Sequence, residues 1–345
     1  MKTNLLITID YKPNIGGVAR YLEGYVKIHD LDVLAPDISM QASIFEEEGV
    51  IRKKLIWKGW PKWLPALYWG CRIGKNYDNL IISHILPIGY IGLLCKKPYT
   101  LILHGLDILN ANKSKWKRYW VKKILDKASL IVVNSKATGE LLRTVFGDLY
   151  SYKVEHPRIM LMPKATEDFR EKYGWQNKKI IFSLGRLVKR KGQSKLIKLM
   201  PHILLDNPNA LLVIAGDGPY KSELIAITKE LGLSDSVIFL GRVLDVDLPN
   251  LYSACDIFVL TALPSKDNWE GFGMVCLEAA YYAKPVVVTN SGGLGEAVEN
   301  GVTGFVVHTD EELYSTISEL LKNKNLREEL GDEGKARVEE IFLVK

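Results

Sequence analysis

Two basic residues, Arg186 and Lys191, stand in a turn directly after an apolar run that ends at Leu184. Guanidinium and ammonium groups in such a turn can hold a diphosphate and stabilise it as a leaving group. The alternative is an ordinary solvated loop, because Lys189 and Arg190 make the whole turn basic. The turn therefore predicts an anion site only in combination with other features.

A glycine-rich segment between two carboxylates, Glu270 and Glu278, is the most specific pattern in the chain. Gly271 and Gly273 precede an apolar helical stretch, and glycines at a helix start leave backbone amides open to a phosphate. Glu270 can accept hydrogen bonds from sugar hydroxyls, and Glu278, predicted about two turns into the helix, can bind a ribose diol. Carboxylates at this spacing are common by chance, so the interpretation depends on the glycines and on the preceding strand.

Three weaker patterns also follow apolar runs. Gly216 opens the turn Gly-Asp-Gly-Pro, Val243 follows Gly-Arg at a depth suited to a nucleobase edge, and Gly16 and Gly17 precede a predicted helix. Glycine permits close approach of a phosphate or ribose. An ordinary connecting turn explains Gly216 at least as well, the Gly16-Gly17 pair is common in ordinary turns, and the pattern at Val243 is weak alone.

A histidine and an aspartate, His104 and Asp107, follow the apolar run Thr100 to Leu103. Their place after a strand predicts that they face a ligand, although a single histidine is more often structural. Asn134 and Ser135 follow another such run, and a helix cap explains that pair equally well.

The elements that must position these residues alternate between β-branched apolar runs and amphipathic helical stretches, which is typical of parallel sheets covered by helices. In such sheets ligands bind beyond the carboxyl ends of the strands. A stretch without clear periodicity, Gly147 to Asn177, predicts a linker with one short helix. The predicted strands are Leu5–Ile9, Leu31–Leu34, Leu80–Ser83, Thr100–Leu103, Leu130–Val133, Ile180–Leu184, Leu211–Ala215, Val237–Leu240, Ile257–Leu260, Val286–Val288 and Gly304–Val307.

The chain has 345 residues, enough for two domains at roughly 150 residues each. With 47% hydrophobic and 25% charged residues it has the composition of a globular protein, not of a disordered or fibrous one. The four cysteines show no close pairing, so we expect neither a disulfide framework nor a zinc site. The apolar start is too short for a secretory signal, and no stretch reaches the roughly 20 residues of a membrane span.

The ordered set of motifs in the second half resembles the retaining glycosyltransferases of family 4, which have the GT-B fold. The resemblance covers nearly all of residues 178 to 322, and it implies two Rossmann-like doubly wound domains facing each other across a cleft. Residues 1–165 would then form the acceptor-binding domain and residues 166–345 the nucleotide-sugar donor-binding domain. The motifs are Gly185-Arg186-Leu187, Lys191-Gly192, Gly216-Asp217-Gly218-Pro219, Phe239-Leu240-Gly241, Glu270 to Glu278 and Gly292-Gly293 with Glu296.

The resemblance also implies residue roles in the transfer of a hexosyl group from a UDP- or GDP-sugar without a metal ion or other cofactor. Arg186 and Lys191 would hold the diphosphate, Gly16 and Gly17 would cap it, and Glu278 would bind the ribose. His104 and Glu270 are the implied catalytic residues, with Asp107 as a neighbouring sugar or acceptor contact. Further donor contacts are expected from Gly216, Val243, Gly271, Phe272, Gly273, Met274 and Val275.

Two clusters in the first half mix aromatic and basic residues, and they bear on the acceptor. One contains Trp57, Trp60, Trp63 and Trp69, and the other is the region Lys113–Lys127. Indoles and lysines together are typical of a protein surface that contacts anionic lipid. We therefore expect a cytoplasmic protein at the inner face of the membrane with a glycan or lipid-linked acceptor. The alternative is that the aromatic residues are core and the lysines a solvated face.

Other classes of function remain as alternatives. A sugar-nucleotide epimerase of the related two-domain fold also binds a nucleoside diphosphate, and a non-catalytic nucleotide-binding protein can keep the fold. Nucleic-acid binding is not expected, because no known nucleic-acid module accompanies the basic clusters. The family usually ends with a helix that returns to the first domain, and the expectation is that this helix is lost or cut away after Lys345.

Overall fold

The structure is a computed structural model that describes residues 3–13, 16–37, 47–263 and 269–344. The described residues of Met1–Arg158 and Asp267–Phe272 form a first compact unit, and those of Ile159–Lys266 and Gly273–Leu343 form a second. The change of unit after Arg158 lies within the stretch that the sequence predicts to be a linker.

The described part of the first unit contains a seven-stranded parallel sheet in the order β3-β2-β1-β4-β5-β6-β7. Its strands are β1 (Asn4–Ile7), β2 (Asp32–Pro36), β3 (Val50–Lys53), β4 (Asn79–Ser83), β5 (Tyr99–Leu103), β6 (Leu130–Val133) and β7 (Lys153–Val154). Its helices are α1 (Gly17–His29), α2 (Leu64–Gly74), α3 (Tyr90–Leu94), α4 (Leu106–Ala111), α5 (Lys115–Lys127) and α6 (Lys136–Phe146).

Both faces of this sheet are buried. Successive residues of a strand point to opposite faces, so neighbouring residues belong to different cores. Leu101 and Leu103 of β5 belong to the core beneath α3, α5 and α6, whereas Ile102 belongs to the core beneath α1. Apolar residues on both faces explain why the strands read as continuous apolar runs instead of alternating patterns.

The described part of the second unit contains a six-stranded parallel sheet in the order β10-β9-β8-β11-β12-β13. Its strands are β8 (Lys179–Leu184), β9 (Ala210–Ala215), β10 (Val237–Gly241), β11 (Ile257–Leu260), β12 (Val286–Thr289) and β13 (Gly304–Val307). Its helices are α7 (Phe169–Lys172), α8 (Gln193–Asp206), α9 (Lys221–Glu230), α10 (Leu248–Ala254), α11 (Met274–Tyr281), α12 (Leu294–Ala297), α13 (Asp310–Lys322) and α14 (Lys324–Arg337), which a π-helix (Val338–Phe342) follows.

Each strand predicted from the sequence is present, with ends within two residues of those predicted, and the prediction of two doubly wound parallel sheets is confirmed. The prediction missed β3 and β7, which lie at the two edges of the first sheet. The expectation of no disulfide was wrong, because Cys71 of α2 and Cys95 after α3 are bonded across 24 residues of chain. In the described part of the chain, no helix has both the length and the hydrophobicity to cross a bilayer.

Candidate active site

The loops after β8, β9 and β10 lie together at the carboxyl edge of the second sheet. Arg186 is exposed in the first of these loops, and Lys191 is half-buried with its Nζ 4.0 Å from the Cβ position of Gly185. The structure thus places both predicted diphosphate ligands at one strand end. Backbone hydrogen bonds join each loop to the neighbouring loop or strand end: Gly185 N to Ala215 O of β9 (3.1 Å), Leu187 N to Asp217 O of the next loop (3.0 Å) and Gly216 N to Gly241 O of β10 (2.7 Å).

Gly192 fixes the turn that carries Lys191 against the neighbouring strand end. It has a φ of 68°, and a Cβ on it would lie 1.8 Å from the carbonyl oxygen of Thr261, which follows β11. The Thr261 hydroxyl donates a hydrogen bond of 2.8 Å to the Gly192 carbonyl. Only glycine satisfies both the backbone conformation and this close approach.

Glu278 is the fifth residue of α11, so it lies little more than one turn into the helix instead of the predicted two. Its side chain is buried, with 2% of its surface exposed, and Tyr252 Oη donates a hydrogen bond of 2.8 Å to Oε2. This hydrogen bond compensates part of the cost of burying a carboxylate. No sequence pattern indicated Tyr252 as the partner of Glu278.

The remaining predicted donor contacts of the second unit lie beside the same loops or at the start of α11. Gly273 caps α11 in the left-handed conformation, and the amides of a first helical turn have no partner within the helix. Met274 is buried, whereas Gly216, Val243 and Val275 are half-buried. No sequence signal indicated Gln193, whose buried Oε1 has no hydrogen-bond partner in the described structure and whose Nε2 lies 3.5 Å from Arg186 O.

His104 is buried at the carboxyl end of β5 in the first unit, and its Nε2 lies 2.8 Å from the Ser83 hydroxyl at the end of β4. Asp107 Oδ1 accepts hydrogen bonds from the backbone amides of His104 and Ile108, both at 3.1 Å. Within the described residues, His104 Nδ1, Asp107 Oδ2 and Asn134 Oδ1 are buried without a hydrogen-bond partner. Unpaired buried polar atoms are rare, and three at one sheet edge indicate a ligand site.

Burial sets the protonation of this site. Loss of solvent, together with the nearby His84, holds the pKa of His104 well below its usual value. Burial also raises the pKa of the Asp107 carboxyl, although His84 and the backbone amides oppose that shift. His104 is therefore a neutral imidazole at neutral pH, suited to hydrogen bonding.

The segment around Glu270 packs against the same edge of the first sheet. Trp269 donates a hydrogen bond of 3.2 Å from Nε1 to the Thr138 hydroxyl, and its ring lies on Gly105. The Cβ position of Gly271 is 2.5 Å from Asn134 Nδ2 and 2.9 Å from His104 O. Half-buried Glu270 thus belongs to a segment that touches the backbone of His104.

The other predicted residues of the first unit have simpler surroundings. Gly16 is the N-cap of α1, and Gly17 is exposed, with no described heavy atom beyond its chain neighbours and its own helix within 4 Å of its Cβ position. Phe272 is buried, with its ring 5.3 Å from that of His156. Ser135 caps α6 by accepting a hydrogen bond from Thr138 N, which confirms the helix-cap interpretation.

Comparison with known proteins identifies the family. The family model described as glycosyl transferases group 1 matches residues 165–337. The chain belongs to this family. An uncharacterized glycosyltransferase of Methanocaldococcus jannaschii is 35% identical to the chain, over 78% of the chain and 73% of the relative.

Other relatives of this glycosyltransferase have named activities. A protein of Mycolicibacterium smegmatis named GDP-mannose-dependent alpha-(1-6)-phosphatidylinositol monomannoside mannosyltransferase is 27% identical, over 96% of the chain and 92% of the relative. The crystal structure of Anabaena HepE in complex with UDP and glucose has a TM-score of 0.82 at 24% identity, over 99% of the chain and 96% of HepE. The chain therefore has the GT-B fold.

The prediction of a glycosyltransferase with the GT-B fold is confirmed by these matches. They give no support to an epimerase or to a non-catalytic nucleotide-binding protein. The role of each site residue stays a prediction.

The contact between Gly192 and Thr261 generates a stability prediction. Gly192→Ala should lower the free energy of unfolding by at least about 2 kcal/mol more than Gly174→Ala, because steric overlap with a backbone carbonyl adds to the strain. Gly174 is a matched control, since its φ is also 68° but, among the residues that the structure describes, none beyond its chain neighbours has a heavy atom within 4 Å of its Cβ position. Its substitution should cost about 1 kcal/mol. Equal losses in urea unfolding would show that the close approach to Thr261 does not matter.

The lowered pKa of His104 generates a prediction about pH. The pKa of this histidine is about 6.5 in the unfolded chain and well below that in the folded protein, so as the pH falls through this range the unfolded state binds more protons. Stability should therefore fall as the pH drops from 7.5 to 5.5, by up to about 1.4 kcal/mol per pH unit from this residue. Urea unfolding should be measured across this pH range for the wild type and for His104→Gln. The difference between the two proteins removes the pH dependence that the other histidines contribute. Parallel curves for the two proteins would contradict a buried neutral His104.

Proposed function

We propose that this glycosyltransferase moves a mannosyl group from GDP-mannose to a lipid-linked acceptor, with retention of the anomeric configuration. The observation that carries the donor is similarity along almost the whole chain to GDP-mannose-dependent enzymes, which include the M. smegmatis protein and one of Corynebacterium glutamicum at 29% identity. HepE was crystallised with UDP, but at 24% identity its likeness supports the fold and not the donor.

The proposed reaction breaks the bond between C1 of the sugar and the diphosphate oxygen, which leaves with the electron pair. Arg186 and Lys191 stabilise the negative charge that develops on this oxygen. Because these side chains supply positive charge at a strand end, we propose that transfer needs no metal ion. The acceptor oxygen bonds to C1 on the face that the phosphate leaves, and its proton passes to the departing phosphate.

The other site residues bind and orient the donor in this proposal. Glu278 holds the ribose, Gly16 and Gly17 cap the diphosphate, and main-chain groups near Val243 meet the base. His104 and Glu270 hold hydroxyl groups of the transferred sugar. The neutral state of His104 supports this role, because a neutral imidazole both donates and accepts hydrogen bonds. The Asp107 carboxylate fixes the backbone at His104 by accepting a hydrogen bond from the backbone amide of His104.

The donor assignment predicts selective stabilisation by GDP-mannose. At about 100 times its dissociation constant a ligand adds about 2.7 kcal/mol to the free energy of unfolding, so GDP-mannose in EDTA should raise the Tm clearly. Arg186→Ala should abolish this shift without changing the Tm of the unliganded protein, because Arg186 is exposed. Arg143→Ala, which removes an exposed arginine of the first unit, is the control.

A panel of UDP-, ADP- and GDP-sugars decides between donors. A Tm shift with a UDP-sugar alone would overturn the assignment of a guanosine donor, but it would leave the assignment as a glycosyltransferase intact. No shift with any nucleotide sugar would overturn the proposed donor site.

The proposal of a lipid-linked acceptor rests in part on exposed aromatic residues of the first unit. Trp60 is 86% exposed and Trp57 41%, whereas Trp63 and Trp69 pack against the core, so the first cluster only partly matches the membrane prediction. In α5, Trp116 is 58% exposed and lies among the lysines of Lys113–Lys127.

The two clusters lie side by side in the first unit. Trp63 stacks on Tyr90 with ring centroids 4.7 Å apart, and Trp120 meets the same Tyr90 ring in an edge contact at 5.8 Å. Trp120 in turn contacts Trp116 at 6.4 Å. We propose that this aromatic and basic surface contacts the anionic inner face of a membrane.

Vesicle binding tests this surface. Trp60→Ser combined with Trp116→Ser should weaken binding to phosphatidylcholine vesicles containing phosphatidylglycerol by about tenfold, because indole burial at the interface is lost. Leu149→Ser is the matched control, since Leu149 is 83% exposed in the same unit and lies outside both clusters. Added salt should weaken wild-type binding. Equal sedimentation of both variants with vesicles would contradict the proposed contact.

A further inference from the structure

His84, which the sequence-based prediction passed over, stands directly after β4 in a strained backbone conformation. Its φ is 86°, a region that residues other than glycine rarely occupy because it is strained. Such strain concentrates at functional sites. His84 also follows the carboxyl end of a strand, the same kind of position as His104 after β5.

The hydrogen bonds of His84 determine which ring nitrogen is the base. Nδ1 lies 2.7 Å from the carbonyl oxygen of Ser83. A carbonyl oxygen only accepts hydrogen bonds, so Nδ1 carries the proton. In the neutral ring Nε2 then has a lone pair, and no described residue is its hydrogen-bond partner. His84 is half-buried, and a ligand that reaches Nε2 would meet a hydrogen-bond acceptor there.

The order of the strands shows where His84 lies relative to the proposed sugar site. The strand β5 lies between β4 and β6, and the Glu270 segment contacts Asn134 at the end of β6. His84 lies on the opposite side of His104, at the end of β4, with the two rings 5.1 Å apart. The sugar held by His104 and Glu270 would therefore have His84 on the side away from the Glu270 segment.

We infer that His84 is a positioning residue for the acceptor, whose reacting hydroxyl donates a hydrogen bond to Nε2. This inference rests on the proposed function. The hydrogen bond holds the acceptor oxygen in one orientation, which lowers the entropy cost of reaching the reactive geometry. It forms only with the neutral ring, because the protonated ring has no lone pair on Nε2.

The variant His84→Gly tests the inference, because glycine adopts a φ of 86° without strain and removes only the side chain. Lys96→Gly is the matched control, since Lys96 is an exposed residue of the same unit with a φ of 53°. The two rates to measure are hydrolysis of GDP-mannose by water and transfer to phosphatidylinositol monomannoside in detergent micelles. Both variants should melt at or above the wild-type Tm.

In His84→Gly we expect the KM for the acceptor to rise about tenfold, while donor hydrolysis and GDP-mannose affinity stay within about twofold of wild type. Added imidazole should restore part of the transfer, which a purely structural role would not allow. Unchanged transfer, or equal loss of hydrolysis and transfer, would overturn the inference alone. A wild-type protein that transfers no mannose to this acceptor would overturn the proposed function, and the inference with it.

Discussion

Backbone hydrogen bonds continue across the second sheet beyond the ends of its strands. Gly185, after β8, donates to Ala215 of β9, and Gly216, after β9, donates to Gly241 of β10, so each of these loops is bonded to the end of the neighbouring strand. On the far side, Leu263 N donates to Arg190 O at 2.8 Å, which connects the basic loop to the chain after β11. Because buried backbone groups must be paired, these links fix where the loops lie. The positions of Arg186 and Lys191 depend on them.

The elements that sequence reasoning found and missed differ in burial. Central strands such as β5 and β9 are apolar on both faces, so their runs are unmistakable. The missed strand β3 is half-buried throughout and ends in Arg52 and Lys53, because an edge strand needs little apolar surface. The bond between Cys71 and Cys95 depends on how α2 and α3 pack, and a spacing of 24 residues carries no sign of it.

The residues of the candidate site also differ in whether the sequence could indicate them. Residues that follow a strand directly, such as His104 and Arg186, could be listed from the sequence because the strand ends were correct. Partners from distant parts of the chain could not be listed. Tyr252 reaches Glu278 across 26 residues, and Trp269 reaches Thr138 across 131. His84 met the strand-end rule, but its left-handed backbone is visible only in the fold.

The packing of Trp269 on Gly105 limits the order in which these two positions can change. A Cβ at position 105 would lie 2.0 Å from Trp269 Cδ1, and its φ of 96° disfavours any side chain. A larger residue at 105 is therefore accessible only to a lineage that has already lost the indole at 269. Descendants of this enzyme that acquire a side chain at position 105 must first pass through an ancestor with a smaller residue at position 269.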